Sequence, residues 1–88
     1  MIRKFNPGEH GHVTFTSEVL AKSIPSVNGT TIRVNKWAKG EVVGYEKKGT
    51  EEKADDDFVG IKISEGDEKE GSTVWVPYSE FDNLQKHY

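Results

Sequence analysis

Eighty-eight residues suffice for one domain with a thin core, because a chain of this size buries only roughly 60–65% of the surface it exposes when unfolded. Hydrophobic residues at 33%, charged residues at 31% and nine aromatic side chains describe a polar chain that still folds. The absence of cysteine excludes disulfides, thiolate metal sites and thiol nucleophiles. No stretch approaches the ~18 apolar residues of a membrane span, and no apolar run follows Met1–Gly8, so the chain reads as cytoplasmic.

The net charge of −3 conceals an asymmetry. Residues 1–48 carry eight Lys/Arg against four Asp/Glu, and residues 49–88 carry four against eleven. Such halves either interleave in a mixed surface or form a basic patch facing an acidic one.

The N-terminal third carries the weakest pattern. Val13-Thr14-Phe15-Thr16 alternates like a strand, and Ser17 to Ile24 reads either as a short helix stopped by Pro25 or as an irregular strand. From Thr30 onward the chain has short strands divided by Gly, Asn and charged turns. Thr30–Asn35 places Ile32 and Val34 on one face, and the preceding Asn28-Gly29 suits a type I′ turn. Glu41–Glu46 is the next strand, with Gly44 marking a bulge or bend. Phe58–Ile63 turns Val59, Ile61 and Ile63 inward. Ser72–Pro77 turns Val74 and Val76 inward and Trp75 outward. The charged connections Lys47–Asp57 and Ser64–Gly71 read as mobile loops. At the end of the chain, either a helix capped by Ser79 carries Phe81, Leu84 and Tyr88 on one face, or a single turn at Ser79–Asp82 precedes a closing strand at Leu84–Tyr88.

Taken together, Gly29–Val34, Lys39–Tyr45, Asp57–Ile63 and Thr73–Phe81 resemble an SH3-like small barrel of the Tudor and KOW branch. The resemblance implies a mainly β fold: a small barrel over residues 29–88, a short C-terminal helix or 3₁₀ turn, and residues 1–28 as an N-terminal extension of the same single domain. It also implies binding rather than catalysis, since such domains bind nucleic acid, proteins, peptides or modified side chains. The two acidic loops and the 28 residues at the front depart from the pattern.

Catalytic chemistry finds no foothold among the motifs. A phosphate-binding glycine loop, a nucleophile elbow and a His-Glu-x-x-His pair are all missing from the sequence. His10-Gly11-His12 beside Glu9 falls short of the three or four ligands of a zinc site, with His87 far along the chain, and reads as surface histidines. Asp55-Asp56-Asp57 with Glu51-Glu52 lacks the alternating oxygen spacing of a calcium loop and reads as solvated charge. No metal and no cofactor is expected.

Two aromatic groupings remain. Trp37, Tyr45, Trp75 and Tyr78 offer contact area for a protein partner, with Phe58 beside Trp75 and Tyr78; the competing reading buries Trp75 under Val13, Phe15, Val19 and Leu20. Arg33, Lys36, Trp37, Lys39, Tyr45, Lys47 and Lys48 interleave cations with rings, as a nucleic-acid surface would. The leading expectation is a non-catalytic protein-interaction module, of the kind a phage or mobile element uses to modulate a host protein. The alternatives are a KOW- or Tudor-like nucleic-acid binder and a structural subunit of a larger assembly.

Overall fold

The computed structural model describes residues 11–48 and 56–87. Its strands are β1 (His12–Thr14), β2 (Val19–Lys22), β3 (Thr31–Val34), β4 (Lys39–Glu46), β5 (Phe58–Glu65), β6 (Thr73–Pro77) and β7 (Gln85–His87), with a one-turn helix α1 (Tyr78–Phe81) before the last. Every pairing is antiparallel, and the strands lie in the order β3-β2-β6-β5-β4-β1-β7. The protein is therefore mainly β, as its alternating pattern predicts. Among the described residues no helix is long and apolar enough to cross a membrane.

One face of this sheet builds the core. Val19 and Ala21 of β2, Val34 of β3, Val59, Ile61 and Ile63 of β5, and Val74 and Val76 of β6 are buried together with Val13, Phe15, Tyr78, Phe81 and Leu84. The period of two that puts these side chains on a common face also sends Leu20, Arg33, Lys62 and Trp75 to the other. A single apolar face without a second layer has to wrap around its own side chains.

Chain geometry requires the wrapping. β3 and β4 stand four places apart in the sheet, about 19 Å if it were flat. Yet only Asn35–Ala38 connect them, in a turn closed by the Ala38 amide donating to the Asn35 carbonyl at 3.2 Å. Such a turn spans less than about 7 Å, so with two more Cα steps the link reaches at most about 15 Å. The sheet consequently curls. It does not close into a barrel: β3 and β7 end the hydrogen-bonded order.

Of the two readings of Ser17–Ile24, the strand holds and the helix does not: this segment contributes β2, which is paired on both sides, and β1 lies between β4 and β7. Segments before residue 29 are thus built into the sheet. Asn28 and Gly29 both have negative φ, so no type I′ turn forms. Gly29 is needed for space instead, since a Cβ there would lie 2.9 Å from Ile24 Cγ1. Gly44 follows a register shift between Val42 and Gly44, the bulge its residue type predicts.

The C-terminal segment forms one helical turn and then β7, without a side-chain cap from Ser79. Leu84 returns into the core. Lys86 lies over the Phe81 ring at 5.1 Å and donates to the Asp82 carbonyl at 2.6 Å. Its partial burial holds the ammonium below the ordinary lysine pKa, against the opposing pull of Asp82.

The two charged connections contain buried carboxyls. Asp57, fully buried, accepts the Tyr45 hydroxyl at 2.5 Å and the Lys48 amide at 2.8 Å. Asp67 accepts the Asn35 amide at 2.9 Å and the Lys69 amide at 2.9 Å, tying the 66–72 connection to the end of β3. Residues 49–55, including Glu51, Glu52 and Asp55, lie outside the described residues.

Candidate functional site

The aromatic residues expected to share a binding surface occupy three separate places. Tyr78 starts α1 and is 1% exposed, so it contributes to the core. Tyr45 is half-buried beside it, with ring centroids 6.1 Å apart in an edge-to-face arrangement, and its hydroxyl is engaged by Asp57. This pair holds the end of β4 to the start of α1.

Trp75 lies on the sheet face opposite the core, as strand alternation predicts. Its cross-strand partner on β5 is Gly60, and Gly60 is in turn paired with Gly44 on β4. A Cβ placed on Gly60 would come within 2.9 Å of the Trp75 ring, and one on Gly44 within 3.0 Å. The indole therefore rests across two strands of bare backbone and is half-buried there. Val13, Phe15 and Val19 belong to the core on the far side and do not cover it. Phe58 is two residues from Gly60 on the same strand face and is buried outside the main core cluster, so it supports this second apolar layer.

Trp37 is placed very differently. The turn Asn35–Ala38 puts it third of four residues with φ of 74°, and it is the one non-glycine with positive φ among the described residues. Turns with positive φ at that position favour glycine or asparagine, because a Cβ meets the neighbouring carbonyl. Surrounding structure enforces the conformation: the Trp37 amide donates to the Phe15 carbonyl at 2.5 Å, and Gly66 passes so closely that a Cβ would lie 3.0 Å from the Trp37 oxygen. The side chain is nevertheless 60% exposed, with Lys36 Nζ 5.0 Å from its ring. A bulky residue held in this region costs roughly 1–3 kcal/mol, and such strain concentrates where it serves a function.

The cations of the nucleic-acid reading are divided. Arg33, Lys36 and Lys39 surround the Trp37 turn, whereas Lys47 and Lys48 follow the other end of β4, roughly 25 Å away at the rise of a strand. Arg33 pairs with Glu18 at 3.4 Å and Lys39 with Glu65 at 3.8 Å, both exposed. Among the described residues, the strands of residues 1–48 (β1–β4) alternate in the sheet with those of residues 49–88 (β5–β7), and Lys47 and Lys48 stand apart from Arg33, Lys36 and Lys39.

Around the His12 edge, a groove of about 620 Å³ is lined by His12, Thr14, Lys39, Ser64, Glu65 and His87 among others. His12 and His87, far apart in sequence, are direct cross-strand partners in β1 and β7. His10 and Glu9 lie outside the described residues. Further apolar exposure occurs at Leu20, Ile24 and Val27, on β2 and the connection that follows it. The sequence pattern reads Asp57 as solvated charge, which its burial corrects, and marks neither Asp67 nor Gly60 as a positioned residue.

No family model, curated protein or solved structure matches this chain.

Proposed function

We propose that the protein is a non-catalytic protein-interaction module anchored by Trp37. The carrying observation is an exposed tryptophan held at a left-handed turn position where glycine would sit without strain. Trp is the residue type most enriched at binding hot spots, because it buries a large area with few rotors to immobilise. The rigid turn, with its amide on Phe15 and its carbonyl against Gly66, presents that area with little ordering cost. The buried carboxyls support a binding role in place of catalysis, since Asp57 and Asp67 both accept backbone amides that hold connections in place.

A relation to SH3-like small barrels is part of this reading. Three features support it: the consecutive antiparallel strands β4-β5-β6, the single helical turn at Tyr78–Phe81, and a last strand that pairs back onto β1. The relation would include β1, and so would begin before residue 29.

Trp37→Gly tests the proposal, because glycine relieves the strained φ while removing the ring. The variant should melt at the same temperature as the parent or a few degrees higher. It should also fail to retain proteins that the immobilised parent retains from a cell extract. Equal retention by both chains, with both folded, overturns the assignment of Trp37.

A further inference from the structure

The pairing of β1 with β7 brings together two imidazoles that the sequence keeps 75 positions apart, with His12 directly opposite His87. Val13 between His12 and Thr14 is buried in the core, so strand alternation sends His12, Thr14 and their partners His87 and Gln85 to the outer face. Directly opposed residues have Cβ atoms about 4.5–5.5 Å apart, which puts two imidazoles within reach of one ion at metal–nitrogen bonds of about 2.0–2.1 Å.

Thr14 supplies a second observation. Its Oγ1 lies 3.0 Å from His87 Nε2, a hydrogen bond across the same strand pair. The contact serves either tautomer of His87; with the proton on Nε2, that N–H donates to Thr14 Oγ1 and Nδ1 keeps a lone pair for a metal, and this is the tautomer a bound ion would select. Glu41, opposite His12 on β4, is the nearest carboxylate by register. Among the described residues no group of three or more His, Asp or Glu is placed to hold one ion, so any ion held by this pair would take water at its remaining positions.

We infer that His12 and His87 form a two-histidine chelate for a late first-row divalent ion such as Ni²⁺, Cu²⁺ or Zn²⁺, with Thr14 orienting His87. Imidazole selects these ions over Mg²⁺ and Ca²⁺, which prefer oxygen donors. Bound metal clamps β7, the last strand of the sheet order, onto β1 and raises the stability of the folded chain with the logarithm of the free metal concentration once that exceeds Kd.

The test titrates the full chain with Ni²⁺ or Zn²⁺ alone, followed by calorimetry, thermal melting and the imidazole C–H proton resonances. One ion per chain should bind, the melting temperature should rise with metal concentration, and the resonances of His12 and His87 should move together. His12→Ala and His87→Ala should each lose the response, with their metal-free melting temperatures recorded to separate chelation from undocking of β7. Thr14→Val should weaken binding about tenfold. Mg²⁺ should have no effect. Absence of saturable binding overturns the inference. So does binding that survives His12→Ala, or binding that His10→Ala abolishes while His87→Ala retains it.

Discussion

Asp57 and Asp67 occupy stretches so rich in charge that the sequence places them in solvent, yet both side chains are buried. Each satisfies amides that the chain's turns would otherwise leave unpaired: Lys48 for Asp57, Asn35 and Lys69 for Asp67. At Asp67 burial pushes the carboxyl pKa up, but the two amides and the Lys69 side chain outweigh it and hold the group below its ordinary 3.8. A carboxyl whose folded pKa is depressed stabilises the fold fully above its unfolded value, and that stabilisation is lost as pH falls through the folded value. Asp67→Asn should therefore be less stable than the parent near neutrality, by roughly 1–3 kcal/mol. Denaturant melts should show the gap between the two chains shrinking as the pH is lowered beneath 3.8. A gap independent of pH would mean that shape, and not charge, holds the Asn35 amide. Nothing local in the sequence distinguishes these two aspartates from Asp55 or Glu68, because their partners lie elsewhere in the chain or in the turn backbone.

At the level of elements, strand periodicity was the legible part. Alternation assigned Val59, Ile61, Ile63, Val74 and Val76 to the core and turned Trp75 away from it, and the glycine within β4 marked the bulge. What lies beneath Trp75 was not legible, because Gly44, Gly60 and Trp75 become neighbours only through the register of three strands. At the end of the chain, Ser79, Asp82 and the Phe81–Leu84 spacing suit a helix as well as a single turn before a closing strand, and pairing of Gln85–His87 with β1 decides for the turn. Gly60→Ala tests the second apolar layer. Its Cβ would lie 2.9 Å from the indole, so the ring must lift off the sheet, and overpacking of this kind costs about 1–3 kcal/mol. A lower melting temperature and a more solvent-exposed Trp75 are expected. An unchanged melting temperature would show that the ring moves aside freely.

For the molecule as a whole, topology makes the middle of the sheet the stable part. β5 has eight residues, pairs with β4 along its length and with β6 over Phe58–Lys62, whereas β3 and β7 have four and three residues and pair on one side only. Amide exchange should be slowest at Val59, Ile61 and Ile63 and fastest in β3 and β7. Equal protection across all strands would indicate a closed barrel in solution. The alternation of strands and turns strengthens at residue 29, which suggests a barrel beginning there. The sheet disregards that boundary, since β1 and β2 fill positions that only long-range pairing reveals.

The two tryptophans sit in opposite circumstances, one open at a turn and one resting on the backbone of two glycines. Light absorbed by the first is emitted from a ring that water and any partner can reach, while the second emits from a ring shielded on one side by peptide groups. The chain thus carries two intrinsic reporters, Trp37 for occupancy of the turn and Trp75 for the integrity of the sheet. Replacing either one leaves the other to be read alone.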